Sequence, residues 1–365
     1  MALGCDLRAP LPEDAFDRQP ATSRDERYAL VADIRLDNRL ELAELLGLTQ
    51  TAAASLSDCA SLLEAICRWG MDALDHLTGV FAFVLWDIRL RRLHLVRDPV
   101  GERPLFFHQG GDFVVVASMP RGLHALSEVP YEVNEERVAQ VMVPIVESTD
   151  ETFFRGLRSV LPGNVVTFTE VGARSLSRYW RPEEIAPCHQ TREQSAGALQ
   201  EAFDRAVTAQ LRGRGDVISQ LSGGMDSTLV TATAARLMAG SNRRLIAVTA
   251  APVEGSTEDR QLGRVPDETE FAELTAALYP QMEHLILRPP IHISPLDEFM
   301  PDEAILGRPQ GHLCNLTWFG CIYQVAHERH PDRSPWCTWQ RYGQSSGTGY
   351  PGCPGAAWPF VARRP

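Results

Sequence analysis

The chain has 365 residues, of which 44% are apolar and 22% charged, and this balance excludes an intrinsically disordered protein. One hydrophobic core rarely organises so long a chain, so we expect two domains. The formal net charge of −12 disfavours nucleic-acid binding, because proteins of that class need a basic face for the phosphate backbone.

The sequence contains no apolar run of about 18 residues and begins with no signal-peptide pattern. We therefore expect a cytoplasmic protein with no membrane partner. All 35 basic residues are arginine, and the chain contains no lysine. A phosphate site that depends on a lysine side chain is therefore excluded for this sequence.

Short apolar runs separated by turn residues dominate the first half, for example residues 80–86 and 113–117. Such runs predict β-strands. Between them, residues 60–69 carry apolar side chains at helical spacing and predict one helix. We predict an α+β domain with a sheet core over residues 1–185.

The second half changes rhythm after a polar, proline-containing linker, and residues 194–330 alternate between strands and helices. The predicted strands are residues 217–221, 245–249 and 283–287, and the predicted helices are residues 194–212, 227–238 and 271–278. Alternation of this kind predicts an α/β domain with a parallel, doubly wound sheet.

The most specific motif is the loop Ser222-Gly223-Gly224-Met225-Asp226-Ser227, which joins the first of these strands to the next helix. Glycines at the end of a parallel strand let backbone N–H groups approach phosphate oxygens, and the helix N-terminus adds partial positive charge. Neither a Walker A loop nor a GxGxxG loop fits the motif. Asp226 would repel a phosphate unless a divalent cation lay between them, which predicts an Mg²⁺ ligand. The alternative is that Asp226 only caps the helix.

The loop resembles the loop of N-type ATP pyrophosphatases, and the half before it resembles class II glutamine amidotransferases. That order is similar to the asparagine synthetase B-type family. The resemblance is also carried by residues 36–39, 57–59, 79–87 and 97–105. It implies an Ntn-type β-sheet sandwich followed by an adenine-nucleotide-α-hydrolase-like sheet. The implied activity is an ATP-dependent amide ligase, which adenylates a carboxylate, releases pyrophosphate and passes the acyl group to an amine.

The same resemblance implies a set of site residues, with ATP and Mg²⁺ as cofactors. The nucleotide and pyrophosphate would be bound by Leu221, Ser222, Gly223, Gly224, Asp226, Ser227 and Val248, with the metal on Asp226. Asp267 and Glu268 match an acidic pair after the second strand, and Asp58 is a further candidate. The alternative for the acidic pair is a solvated helix start that the helix dipole favours.

The amidotransferase-like half departs from a working glutaminase at two places. The cysteine that follows the first methionine in such enzymes is replaced by Ala2. The Asn-Gly pair of the oxyanion hole falls at Val31 and Ala32, which have no side-chain amide. We therefore predict a degenerate domain that does not hydrolyse glutamine, so that the amine comes from elsewhere.

Within the family, residues 250–255, 263–268, 279–280 and 313–315 most resemble lasso-peptide cyclases. Those enzymes join the N-terminal amine of a precursor peptide to an Asp or Glu side chain. The implied partners are a precursor peptide, a leader-peptide-binding protein and a cysteine protease. Asparagine synthesis from free ammonia, with a small-molecule substrate, is the alternative. A tRNA-thiolating enzyme with the same loop is disfavoured by the acidic charge.

Residues 331–365 contain one acidic residue among three tryptophans, six prolines and five glycines, and they predict no folded element. A second glycine-containing loop and a lysine, which the resemblance calls for, are not found. Two explanations stay open. A reading-frame shift near residues 331–335 would replace the true continuation, or the chain is a truncated relative that binds a nucleotide without turnover.

Overall fold

The computed structural model describes residues 2–5, 11–143, 149–254, 267–288, 325 and 360–363. These residues divide into two compact units: the chain passes from the first to the second between Pro187 and Cys188, and residues 360–363 belong to the first unit again. Each unit has its own hydrophobic core. The predicted domain limits, 1–185 and 194–330, leave a linker that contains this boundary.

The first unit is built on two antiparallel sheets, with strand orders β1-β2-β3-β4-β8-β9 and β13-β6-β5-β7. The strands are β1 (Ala21–Thr22), β2 (Tyr28–Leu36), β3 (Gly79–Asp87), β4 (Arg92–Arg97), β5 (Phe106–Gln109), β6 (Phe113–Ala117), β7 (Leu157–Ser159), β8 (Asn164–Thr169), β9 (Arg174–Arg178) and β13 (Phe360–Arg363). The α-helices are α1 (Arg39–Leu45), α2 (Gln50–Ala54), α3 (Asp58–Trp69), α4 (Pro120–Leu123) and α5 (Glu135–Met142), and 3₁₀ turns cover Pro12–Phe16, Gly70–His76 and Pro182–Glu184.

The side chains of β3 show how the layers are held together. Phe81 and Phe83 point to one face and pack in the core that includes Leu62 of α3. Ala82 and Val84 point to the other face, where they pack with residues of the second sheet. Successive side chains of a strand alternate between faces, so one strand contributes to both cores. The predicted sheet sandwich is therefore confirmed, whereas the prediction of a single helix in this half is wrong, because α1, α2, α4 and α5 form in addition to α3.

The second unit contains a three-stranded parallel sheet in the order β10-β11-β12. Its strands are β10 (Val217–Gln220), β11 (Leu245–Ala250) and β12 (Glu283–Leu287), and its helices are α6 (Arg192–Gln210), α7 (Met225–Leu237) and α8 (Thr269–Ala277). Helix α7 joins β10 to β11, and α8 precedes β12. The predicted parallel α/β sheet is confirmed.

Each of the four predicted helices begins two residues earlier in the structure than predicted, and capping explains two of these differences. Helix α6 begins at Arg192 because the Thr191 hydroxyl accepts from the Gln194 N–H at 3.2 Å, while Gln194 Oε1 accepts from the Thr191 N–H at 3.0 Å. Helix α3 begins at Asp58 because the Ser57 hydroxyl accepts from the Ala60 N–H at 3.1 Å.

Residues 255–266, 289–324 and 326–359 lie outside the described part of the chain. Most of the predicted tail, and the resemblance at residues 313–315, fall there. One part of the tail prediction is wrong, because Phe360–Arg363 forms strand β13, antiparallel to β6. Four residues that include phenylalanine and valine are enough for a short strand but too few to show a period.

The turn after β4 is organised by Asp98, which is fully buried. Its carboxylate accepts four backbone N–H groups, from Val100 at 3.1 Å, Gly101 at 2.6 Å, Glu102 at 3.0 Å and Arg103 at 3.0 Å. A carboxylate with this many donors replaces the water that it loses on burial. Asp98 therefore fixes the path of residues 98–103.

Asp14 lies in the 3₁₀ turn of the first unit, where the pKa of its carboxyl is raised from 3.8 to about 6, chiefly by burial and in part by the charges of Asp58, Asp17 and Glu13, against the lowering effect of the Leu11 N–H. Since the folded state holds this proton more tightly, Asp14 stabilises the fold below pH 3.8, and this contribution is lost as the pH rises to 6. We expect Asp14→Asn to raise the free energy of unfolding at pH 7 by about 1 to 2 kcal/mol and to leave it little changed at low pH. Urea unfolding of both proteins across this range measures the difference.

The matched control is Asp112→Asn, since Asp112 is exposed in the β5–β6 turn. This change is expected to leave the pH profile unaltered. A wild-type profile that coincides with that of Asp14→Asn would show that Asp14 titrates normally.

Candidate functional site

The predicted phosphate loop lies between β10 and α7 in the second unit. Leu221 is fully buried, and its N–H donates to the Val248 carbonyl at 2.9 Å, which extends the β10–β11 ladder to the start of the loop. The chain then turns, and α7 begins at Met225 with Gly224 as its N-cap. Gly224 has no side chain with which to cap the first-turn N–H groups of α7, and this is the arrangement that an anion site at a helix N-terminus requires.

Ser222 and Ser227, the first and last residues of the loop, are hydrogen-bonded to each other. The hydroxyls of Ser222 and Ser227 lie 2.7 Å apart, and the Ser222 N–H donates to Ser227 Oγ at 3.0 Å. The Gly224 N–H donates to Ser222 Oγ at 3.1 Å. The structure therefore brings together both serines that the sequence analysis assigned to this site.

Gly223 lies where the loop approaches the start of α8. A Cβ atom at this position would lie 3.0 Å from the Cβ of Glu268 and 3.1 Å from the Cβ of Phe271, and essentially no real Cβ is closer than that. The Gly223 N–H donates to Glu268 Oε2 at 3.0 Å. Glu268, predicted from the sequence as a further site residue, thus contacts the loop directly.

Asp226 is exposed in the first turn of α7, where the helix dipole favours a negative charge. In the ranges that the structure describes, no group of three or more His, Cys, Asp or Glu side chains is placed to hold a metal ion. A single carboxylate still fits Mg²⁺, because this ion commonly takes one or two protein carboxylates and completes its shell with phosphate oxygens and water. The Mg²⁺ ligand at Asp226 stays a prediction.

Asp267 is held by contacts at the sheet edge. Its Oδ1 accepts from the Thr269 N–H at 3.0 Å, and its Oδ2 lies 3.1 Å from Nη2 of Arg288. Hydrogen bonding from Thr269 and the charge of Arg288 lower the pKa of this carboxyl. Asp267 therefore stabilises the start of α8, as the alternative interpretation of the acidic pair expects, whereas Glu268 contacts the loop.

Thr249 and His284, which the sequence analysis did not single out, tie the three strands together under the loop. The Thr249 hydroxyl donates to the Leu221 carbonyl at 2.8 Å and lies 2.7 Å from His284 Nε2. Because the hydroxyl has one hydrogen, and Leu221 accepts it, His284 donates from Nε2. Burial lowers the pKa of His284. The signal in the sequence is a threonine in an otherwise apolar buried strand.

The candidate Asp58 belongs to the first unit, where it is buried. Its Oδ2 accepts from the Leu36 N–H at 2.8 Å, and its Oδ1 accepts from Arg39 Nη1 at 2.9 Å. The two carboxylate oxygens therefore connect α3 to the end of β2 and to the start of α1.

The residues that the sequence analysis matched to an oxyanion hole contact another side chain of the first unit. The Ala32 N–H donates to Gln19 Oε1 at 2.7 Å, and the Ala32 carbonyl accepts from Gln19 Nε2 at 2.9 Å. Ala2 is exposed, and the following Leu3 packs against the core between the two sheets. The backbone N–H at residue 32 is therefore already used within the fold.

Among the helices that the structure describes, none is both long and apolar enough to cross a membrane.

Two family models match the chain in sequence order. A glutamine amidotransferase domain matches residues 11–180, and asparagine synthase matches residues 198–290. The second match contains the whole of the loop at residues 222–227 and the start of α8.

Individual relatives are similar to part of the chain. Glutamine-hydrolysing asparagine synthetase 3 of Bacillus subtilis is 28% identical over 221 residues, which cover 60% of this chain and 36% of the relative. Glutamine-hydrolysing asparagine synthetase 1 of Saccharomyces cerevisiae is 25% identical over 254 residues, which cover 68% of this chain and 38% of the relative. Amidase chyE of Penicillium rubens is 28% identical over 185 residues, which cover 50% of this chain and 27% of the relative.

The chain thus spans about a third of the length of the curated relatives that it matches. A glutamine-dependent NAD⁺ synthetase from Acinetobacter baumannii, solved with ADP, aligns with 83% of this chain and 73% of its own at 14% identity and a TM-score of 0.27.

Proposed function

We infer that the chain belongs to the asparagine synthetase family, since an amidotransferase match precedes an asparagine synthase match, and we propose that it is an ATP-dependent amide ligase. The observation that carries the proposal is the loop at residues 222–227, with its glycine backbone at the end of β10 and the uncapped start of α7. Backbone N–H groups in this position favour a polyphosphate.

The proposed reaction has two steps. A substrate carboxylate attacks the α-phosphorus of ATP, so that an acyl-adenylate forms and pyrophosphate leaves. An amine then attacks the acyl carbon, AMP leaves, and a proton is released. Because both steps join two bound reactants, holding them in register supplies much of the rate.

We assign the loop residues to the leaving pyrophosphate. The N–H groups of Gly223 and Gly224 and the hydroxyls of Ser222 and Ser227 would hold its oxygens, while Leu221 and Val248 flank the nucleotide. Mg²⁺, when bound, would neutralise the phosphate charge that otherwise faces Asp226. Asp226 would orient that ion.

Our proposal for the source of the amine is supported by a contact in the first unit. In this conformation the Ala32 N–H is bonded to Gln19 and so is not free to stabilise an oxyanion. This contact supports an amine that does not come from glutamine. We propose that the amine belongs to the substrate and that the product is a ring, as in lasso-peptide cyclases. Such an enzyme would need a precursor peptide, a leader-peptide-binding protein and a cysteine protease.

Asparagine synthesis from free ammonia is the second candidate, and it is favoured by the two asparagine synthetases that the chain resembles. The two functions differ in their substrates. The purified chain should be incubated with ATP and Mg²⁺ while AMP and pyrophosphate are assayed. AMP formed with a linear peptide that has a free N-terminus and an Asp or Glu side chain supports ring closure, whereas AMP formed with aspartate and ammonium supports the synthetase. ADP and phosphate as products would contradict both.

Removing the Asp226 carboxylate tests the metal assignment. We expect Asp226→Asn to weaken ATP binding about tenfold when Mg²⁺ is present, because the ion loses a ligand, and to strengthen it in EDTA, because a repulsive charge is gone. Titration calorimetry under both conditions measures this reversal.

Asp204→Asn is the matched control, since Asp204 pairs with Arg236 at the surface of α6 and α7. Its ATP affinity should follow that of the wild type with and without the metal. Equal effects of Asp226→Asn under both conditions would rule out a metal-dependent role for that carboxylate.

A further inference from the structure

Glu268 contacts the loop in two ways: it packs against Gly223, and its carboxylate accepts a hydrogen bond from the Gly223 N–H. Three backbone N–H groups of the loop are satisfied within the protein: Ser222 donates to a serine hydroxyl, Gly224 donates to a serine hydroxyl, and Gly223 donates to the Glu268 carboxylate at 3.0 Å. Among these acceptors Glu268 alone is an anion. A hydroxyl can rotate and exchange its donor, whereas a carboxylate offers the same kind of acceptor as a phosphate oxygen.

The backbone of Glu268 holds its side chain close to the loop. Glu268 is the N-cap of α8, and its carbonyl accepts from the N–H groups of Phe271 and Ala272. A Cβ atom added to Gly223 would lie only 3.0 Å from the Cβ atom of Glu268. An incoming phosphate at the Gly223 N–H would therefore meet both a negative charge and a bond that must first break.

We propose that Glu268 is an internal competitor for the phosphate site, occupying the Gly223 N–H when no polyphosphate is bound and leaving it when pyrophosphate or ATP enters. The proposal rests on the loop being the phosphate site of the proposed function. It makes Glu268 a residue that sets nucleotide affinity and that helps to expel pyrophosphate after the first step. Because Glu268 is also the N-cap of α8, release of its side chain from Gly223 couples phosphate binding at the loop to the start of that helix.

This role differs from that of a metal ligand, and the two predict opposite effects. A competitor weakens anion binding with or without a cation. A ligand shared with Mg²⁺ would strengthen binding when the cation is present. Asp267 is not a second competitor, because its two oxygens are bonded to Thr269 and Arg288.

The test is calorimetric titration of the full chain with inorganic pyrophosphate, in EDTA and in Mg²⁺. We expect Glu268→Gln to bind pyrophosphate about tenfold more tightly than the wild type in EDTA, because a like charge next to the anion is removed. The matched control is Glu270→Gln, which removes the same charge from the same helix turn at an exposed side chain. Its affinity should stay within about twofold of the wild type, as for a screened surface charge.

A second measurement is independent of affinity. The amide resonance of Gly223 should shift in Glu268→Gln and in Glu268→Ala, and it should shift in the wild type when pyrophosphate is added, while the resonances of α6 and of the C-terminal end of α7 stay in place and report an intact fold.

The outcomes separate the competitor role from the proposed function. Wild-type binding of pyrophosphate that is unchanged or weakened by Glu268→Gln overturns the competitor and leaves the loop as a phosphate site. Failure of both proteins to bind overturns the competitor and also removes the support for an ATP-dependent ligase. Binding by Glu268→Gln where the wild type binds weakly or not at all supports both.

Discussion

A Gly223→Ala variant is expected to lose about a hundredfold in affinity for ATP and pyrophosphate, because displacing the loop weakens N–H hydrogen bonds to charged phosphate oxygens, each worth about 1.5 to 3 kcal/mol. The new methyl carbon would lie 3.0 Å from the Cβ of Glu268 and 3.1 Å from the Cβ of Phe271. Both atoms are fixed directly to the backbone of α8 and its cap, so neither can rotate away. The loop must therefore move, and its N–H groups move with it.

Gly197→Ala is the matched control for this loss. Gly197 lies in α6, and a Cβ there would meet nothing within 4 Å. This variant should bind ATP as the wild type does and should gain about 0.5 to 1 kcal/mol in stability, since alanine favours a helix more than glycine. Circular dichroism of both variants checks the fold. Undiminished ATP binding by Gly223→Ala would show that the loop tolerates a side chain at its closest approach.

An Asp98→Ala variant is expected to lose about 3 to 5 kcal/mol of unfolding free energy, because each unsatisfied buried donor costs about 1 to 3 kcal/mol and some of them will reach water. Asp98 is fully buried and its carboxylate accepts four N–H groups, so its removal leaves those of Val100, Glu102 and Arg103 without this acceptor, while Gly101 keeps the Asp98 carbonyl at 3.2 Å. Urea unfolding followed by tryptophan fluorescence measures the loss.

Two further variants make this result specific. Asp98→Asn keeps one acceptor oxygen and is expected to lose about 2 kcal/mol, between the wild type and the alanine variant. Asp112→Ala removes an exposed carboxylate and should stay within about 0.5 kcal/mol of the wild type. Equal stability of Asp98→Ala and Asp112→Ala would mean that the turn keeps its path without the carboxylate.

The sequence predicts the elements of the second unit well because their hydrophobic periods are regular and their ends carry turn residues. Strand β12 has the predicted limits, and β11 runs one residue further than predicted. The helix starts could have been placed better, since Ser57 and Thr191 are capping residues that are visible in the sequence. Strand β13 could not be predicted, because its partner β6 lies in a distant part of the chain.

The residues of the candidate site also fall into a group that the sequence predicts and a group that it does not. A local motif predicts the glycines, the serines and Asp226, because glycine conformation and helix N-termini act over a few residues. The bond from Gly223 to Glu268 joins residues 45 positions apart, and the bonds from Gln19 to Ala32 join residues 13 positions apart. Contacts of this kind depend on how elements pack, and a residue's type alone does not select its partner.

The hydrogen bonds of Thr249 also govern how the second unit opens. Its hydroxyl links the last carbonyl before the loop to His284, the second residue of β12, so β10, β11 and β12 share one connection. Fraying at the β12 edge would have to break that connection before the loop could loosen. Amide protons at the ends of all three strands should therefore exchange with solvent at similar rates, as one cooperative unit, and a Thr249→Val substitution should let β12 exchange independently of the other two.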